Sequence, residues 1–289
     1  MTADAPLYAG YYINLDRSPE RRREIEAGLD ALGILGRYHR FPGIDGAVIE
    51  KSGKLKPGEV GCYRSHYEAL RLGEATGLPV HVLEDDVLFS NNFDKVAETI
   101  LSKNLLDRYD ILFTDTFVPS DPHRLSFLKK SFDRAMKGPN VTYTVMDMRQ
   151  TYLCCASSYF VNPASVGKVA VFLARELSAG PEVMHDILFR KLAQAGELRI
   201  GCCFPFTTSV RLEHIMATTI VGREAQIGNL SVLAAALLRY SFFVERDLEG
   251  YAKKFLGALN DGAERKPDTH KDLLMDVLEF TLSVRYQGF

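Results

Sequence analysis

The 289-residue chain has no tryptophan, so any flat stacking surface must rest on its 13 Tyr and 17 Phe. Neither charge is in excess: 35 Lys and Arg face 37 Asp and Glu, a formal net charge of -2. A nucleic-acid binder normally carries a basic field, so no nucleic acid is expected as a partner. The opening residues, MTADAPLYAG, lack a basic region followed by an apolar core, and no signal peptide is expected. A cytoplasmic location is the expectation, with peripheral contact at the inner face of a membrane as its variant. The most apolar late stretch, LSVLAAALLRYSFFVE (230–245), is too short to span a bilayer and carries Arg239. It reads as a core helix, an interfacial helix being the alternative. The five cysteines, Cys62, Cys154, Cys155, Cys202 and Cys203, form no C-x-x-C pair. They read as small buried-strand residues in a reducing compartment rather than as metal ligands. Repeats and low-complexity tracts are also absent.

With 46% hydrophobic and 25% charged residues, the chain can bury the core of one large domain, or of a domain plus a subdomain. YAGYYINL (8–15) predicts a strand. Ser18-Pro19 opens a helix with Ile25, Leu29 and Leu32 on one face, and Gly33 stops it. After a loop with a short strand around RYHRF come a helix over 59–73 and a strand over 78–83. Further strands are predicted at 110–114, 152–161 and 198–204, with a polar segment out to about 150. A helix opened by Asn162-Pro163 and another over 182–195 lie between the last two strands. Strands alternating with helices indicate an α/β fold with a mostly parallel sheet flanked by helices. The expected boundary lies near 220: residues 1–220 form the main domain and 221–289 a C-terminal helical extension.

The stretch LPVHVLEDDVLF (78–89) sets Glu84, Asp85 and Asp86 between two apolar runs. Ligands of open α/β sheets bind beyond the carboxyl ends of strands, which is where these acids stand. Clustered carboxylates are best tolerated around a hard cation, and such an ion can hold phosphate oxygens. A solvated acidic turn is the competing reading.

Four motifs in order, YYINLDRSPERR (11–22), GIDG (43–46), GEVGCYRSHYEAL (58–70) and VLEDDVLF (82–89), resemble glycosyltransferase family 25, the lipooligosaccharide and collagen galactosyltransferases. The resemblance is close over about 8–100. It is traceable through TYLCCASSYFVNPASVGKVAVFL (151–173) and MHDILFRKL (184–192). It implies the two-layer nucleotide-sugar transferase fold called GT-A, a uridine diphosphate sugar as donor, and a glycan or glycolipid hydroxyl as acceptor. Asp86 is then the first choice as ligand of Mn or Mg, with Glu84 and Asp85 for ion and ribose contacts. Asn14 and Arg17 would lie by the nucleotide, and Arg17, Arg21 or Arg22 would meet phosphate. Arg23 reads as part of a solvated helix face. Asp45 would contact base or ribose, unless it is only a turn residue.

Ser65 and His66 would line the donor pocket without a role in proton transfer; no G-x-S-x-G elbow surrounds Ser65. Inversion at the sugar needs a base. Asp186 is the first candidate, with a helix-start Asp as its plain reading, and Asp115 the second, for acceptor or sugar recognition. His214 is a further candidate metal contact. Tyr63-Arg64 departs from the smaller or apolar residues expected before Ser65-His66. No strongly basic tail is seen, which leaves the acceptor open. A non-catalytic glycan- or partner-binding relative is the alternative. A sugar-nucleotide pyrophosphorylase is disfavoured, because NLDRSPERR has no glycine to cradle a triphosphate.

Overall fold

The computed structural model describes residues 6–49, 53–119, 121–211, 214, 230–248 and 250. The first strand, β1 (Ala9–Asn14), alternates its side chains between two cores: Tyr11 enters one and Tyr12 the other. Helix α1 (Pro19–Ala31) starts with Pro19 in its first turn and ends before Gly33, whose φ of 71° lets the chain turn back. β2 (Tyr38–Pro42) returns beside β1, and α2 (Pro57–Glu74) follows. The Glu59 carboxylate accepts the Lys56 backbone N–H at 3.0 Å, so α2 begins two residues earlier than its apolar pattern alone suggests. β3 (Val80–Glu84) completes this half of the sheet; β4 (Val87–Phe89) and α3 (Phe93–Ser102) lie beyond it.

The second half contains β5 (Ile111–Phe113), α4 (Pro122–Met136), β6 (Thr144–Asp147) and β7 (Ser158–Val161). Then come α5 (Val166–Ala179), α6 (His185–Gln194), β8 (Ile200–Phe204), β9 (Thr208–Val210) and α7 (Leu230–Tyr240). The seven-stranded sheet has the order β2-β1-β3-β7-β5-β8-β6, and β4 pairs with β9 apart from it. β1, β2, β3, β5 and β8 run one way, while β7 and β6 oppose them. The sheet is therefore mixed. Because β7 runs backwards between β3 and β5, its first residues meet the last residues of both neighbours at one rim.

Helices cover both faces, as the α/β expectation requires. Ile25 and Leu29 of α1 pack with Val96 and Ile100 of α3 on one side. Leu70 of α2, Val169 of α5, Phe189 of α6 and Leu237 of α7 pack on the other. The apolar stretch from 230 thus supplies a core helix, and β-type pairing of Phe206 with Phe243 ties its end to the sheet. Residues 221–229, 249 and 251–289, the rest of the expected extension, lie outside the described residues. No described helix is long and apolar enough to cross a membrane.

Three expectations need correction. The polar segment before 150 contains a helix, α4, and a sheet strand, β6. Of the strand expected over 152–161, only Ser158–Val161 forms. Residues before it turn away because Cys155 adopts a left-handed φ of 88°, with its N–H donated to Asp186 and its carbonyl accepting from the Tyr152 hydroxyl. The cysteines also divide. Cys202 and Cys203 are buried strand residues on β8, whereas Cys62 stands on α2 and Cys154 and Cys155 in that irregular turn.

Candidate active site

The carboxyl ends of β1 and β3 open into a half-open cleft of ≈ 120 Å³. Glu84, Asp85 and Asp86 form its acidic wall, and the loop Gly43–Gly46 faces them across the space. Glycines allow that loop to lie on α2: a Cβ on Gly46 would stand 2.3 Å from the Gly58 Cα, and one on Gly61 2.3 Å from the Ile44 carbonyl oxygen. Ser65 fastens the same contact, accepting from the Ile44 N–H at 2.9 Å and donating to the Gly61 carbonyl at 2.8 Å.

The three acids have different surroundings. Asp85 is held on both oxygens, by Asn14 Nδ2 at 2.7 Å and Arg21 Nη1 at 3.3 Å. Burial nevertheless raises its pKa. Asn14 is itself fixed by Arg40, which donates to its side-chain oxygen at 3.1 Å and its carbonyl at 3.0 Å. Asp86 has Arg21 Nη1 3.9 Å from Oδ2, while its buried Oδ1 has no hydrogen-bond partner. Burial first, then the neighbouring Glu84 charge, pushes the Asp86 pKa up to about 7. Glu84 accepts from His66 Nε2 at 3.1 Å, and His66 Nδ1 lies 3.0 Å from the Tyr159 hydroxyl.

This arrangement fits a divalent cation. An inward carboxylate oxygen without a partner, in a group made costly to ionise by burial and then by the Glu84 charge, is what a hard cation would satisfy. Asp86 and Glu84 are the residues placed to hold one, whereas Asp85 is occupied in fixing Asn14 and Arg21.

The other candidates fall inside and outside the cleft. Arg17 forks onto Asp45 at 2.6 and 3.4 Å, and that contact holds the Asp45 carboxyl below its usual range. Arg21 is buried among the acids, but Arg22 pairs with Glu26 on the exposed side of α1, and Arg23 with Glu20. His214 reaches the rim. Its Nε2 lies 2.6 Å from Glu24 and its carbonyl accepts from Arg21, so its ring is engaged away from the triplet.

Further along the rim, Asp115 follows β5 and is completely buried against Arg239 of α7. Arg239 Nε donates to Asp115 Oδ2 at 2.8 Å and Nη2 to the Ser157 hydroxyl at 2.7 Å. Asp115 Oδ1 has no partner; burial raises this carboxyl while Arg239 opposes the rise. Its field reaches the triplet: Glu84 acts on Asp115, and Arg239 on Asp86. Asp186, by contrast, accepts the N–H of Cys155 at 3.0 Å and of Ile187 at 2.8 Å, holding the irregular turn to α6.

Sequence reasoning did not single out Arg40, Tyr159 or Arg239 for the site. Arg239 carried a visible signal, a lone charge within an apolar helix. Arg40 and Tyr159 carried none.

Fold and cleft together define an α/β protein with a carboxylate-lined site at the strand ends. Residues 9–175 match glycosyltransferase family 25 (LPS biosynthesis protein), more than half of the chain. The chain belongs to glycosyltransferase family 25. It is similar to a Drosophila melanogaster protein named glycosyltransferase 25 family member, 31% identical over 124 residues, 36% of this chain and 20% of that one. It is also similar to a human protein named inactive glycosyltransferase 25 family member 3, 32% identical over 111 residues, 32% of this chain and 18% of that one. The aligned region thus spans about a fifth of the length of these curated relatives.

Proposed function

We propose that this chain is an inverting, divalent-cation-dependent hexosyltransferase on the GT-A plan. It would transfer a sugar, galactose foremost, from a uridine diphosphate sugar to a hydroxyl of a glycan or glycolipid. The observation that carries the reading is Asp86, a buried cleft carboxylate with an unpartnered oxygen, beside Glu84 and the buried Arg21. Family membership supports sugar transfer, and the family's lipopolysaccharide description supports a glycolipid acceptor.

Asp86 and Glu84 would hold Mn or Mg, which when bound would offset charge on the departing diphosphate. Asn14 and Arg21 orient Asp85, and with it the acidic wall. Arg17 and Asp45 stand at the exposed rim, where nucleotide would enter. Asp115 is better suited than Asp186 to receive the acceptor proton, since it keeps an unpartnered oxygen while both oxygens of Asp186 accept backbone N–H groups. Arg239 would keep Asp115 ionised for that task.

The test is a thermal-shift titration with uridine diphosphate, with and without Mn, and guanosine diphosphate as control. The melting temperature should rise only when uridine diphosphate and Mn are both present, and Asp86→Ala should abolish both that rise and sugar transfer. Equal transfer by Asp86→Ala would overturn the cation reading. The human relative named inactive favours one second reading, a non-catalytic binder. A nucleotide-dependent shift without hydrolysis or transfer of any donor sugar would select it.

A further inference from the structure

Beneath the acidic wall, three side chains with softer donor atoms converge. Cys62 and His66 stand one turn apart on α2, and His185 begins α6. One ligand atom from each, the Cys62 sulfur and a ring nitrogen of each histidine, lies within 4.8 Å of the others. Both histidines are buried and their rings stack with centroids 4.0 Å apart; Cys62 is half-buried at the cleft. A tetrahedral zinc ion, with Zn–S of about 2.3 Å and Zn–N of about 2.0–2.1 Å, sets its ligand atoms roughly 3.3–3.7 Å apart. Binding therefore needs a contraction of up to roughly 1.1–1.5 Å and a turn of the stacked rings that aims their nitrogens at the ion.

We propose that Cys62, His66 and His185 form a zinc site, separate from the Asp86 position, with water as fourth ligand. The donor set decides the metal. A thiolate with two imidazoles suits zinc, whereas Mn and Mg prefer the all-oxygen triplet. Glu84 Oε1 already lies 3.1 Å from His66 Nε2 and 3.9 Å from the Cys62 sulfur, so it borders the same point.

On binding, the Cys62 thiol loses its proton to solvent. The hydrogen between His66 Nε2 and Glu84 also leaves that position, freeing the nitrogen lone pair for the metal. The Tyr159 hydroxyl, 3.0 Å from His66 Nδ1, can accept a hydrogen bond as readily as donate one. His66 thus becomes the neutral Nδ1–H tautomer, anchored by Tyr159, the usual way a ligating histidine is oriented. The thiolate ligand and the neighbouring Glu84 carboxylate, 3.1 Å from His66 Nε2, together offset the two charges of the ion. Such a site clamps α2 to α6 beneath the cleft, a role independent of the donor proposed above.

The full chain, stripped with chelator, should be titrated with zinc, Mn and cobalt(II). One zinc should bind per chain, far more tightly than Mn. Cobalt should give a near-ultraviolet thiolate charge-transfer band with intense visible bands of tetrahedral geometry. Cys62→Ser should remove the charge-transfer band and weaken zinc by at least about 100-fold, since even outer-shell changes cost 10–100-fold. His185→Gln should weaken zinc similarly, with the fold checked by circular dichroism, in case Cys62→Ser does not fold. Asp86→Asn should leave zinc and cobalt binding unchanged while removing Mn-dependent nucleotide binding. Zinc binding that is no tighter than that of Mn, or that survives Cys62→Ser and is lost in Asp86→Asn, would overturn the proposal.

Discussion

Arg239 and Asp115 form a buried ion pair across 124 residues of sequence, with Nε 2.8 Å from Oδ2. It joins the last described helix to the end of β5, so α7 is fastened beneath the strand ends of the sheet. Removing one partner strands the other's charge in the interior. Arg239→Met should therefore cost about 3–5 kcal/mol in urea denaturation. Asp115→Asn in the same chain should recover part of that loss; unchanged stability of Arg239→Met would show that the pair is not desolvated.

Transfer kinetics should separate the two acceptor-side aspartates. With Asp115 as the base, Asp115→Asn lowers kcat by about 10²–10⁴-fold. Asp186→Asn keeps one accepting oxygen for the backbone of the turn and should cost roughly 10-fold or less, equal to one hydrogen bond. The reverse ranking would make Asp186 the base.

His81 supplies a pH dependence. It is fully buried, stacked on Phe160, with hydrogen bonds to Tyr38 and Ser158, and burial lowers its pKa from 6.5 to about 3. Between those values the unfolded chain binds the proton and the folded chain does not. The histidine's contribution is therefore complete above pH 6.5 and is lost as pH falls. The expected slope is about 1.4 kcal/mol per pH unit between pH 6 and 4. His81→Gln, which cannot titrate, should be less stable at pH 7 but should lose this component of the slope. An identical pH profile would exclude His81 as the source.

The contact between the Gly43–Gly46 loop and α2 should be intolerant of one methyl group. Gly46→Ala forces a Cβ to 2.3 Å from the Gly58 Cα, and overpacking of this kind costs about 1–3 kcal/mol or more. Uridine diphosphate affinity should fall with it. Ser65→Ala, which leaves the Ile44 N–H without its partner, should cost about 1–2 kcal/mol. Gly36→Ala, with nothing within 4 Å of the new Cβ, is the neutral control.

Much of the cleft was legible because it depends on local rules. An apolar run that ends in Glu84-Asp85-Asp86 places acids at the carboxyl edge of a strand wherever that strand sits in the sheet. Arg21 and Arg22 stood together as phosphate candidates, although helical phase carried the signal that divides them: Arg21 lies four and eight residues before Ile25 and Leu29 and shares their buried face, while Arg22 does not. Pro19 and Gly33 marked the ends of α1 for reasons confined to their own backbone.

Other features depended on strand order, which no local pattern encodes. The reversal of β7 brings Ser157 between Glu84 and Asp115, and α7 then delivers Arg239 to them. The approach of His185 to Cys62 and His66 likewise follows from packing α6 against α2, 119 residues later in the chain by His185 and His66 numbering. By itself the sequence determined which residues were placed at element ends and on which helix face, because periodicity and capping act over a few residues. Only the tertiary structure decided which of those ends meet, because contacts across the sheet are chosen by burial of the whole core rather than by neighbours in the chain.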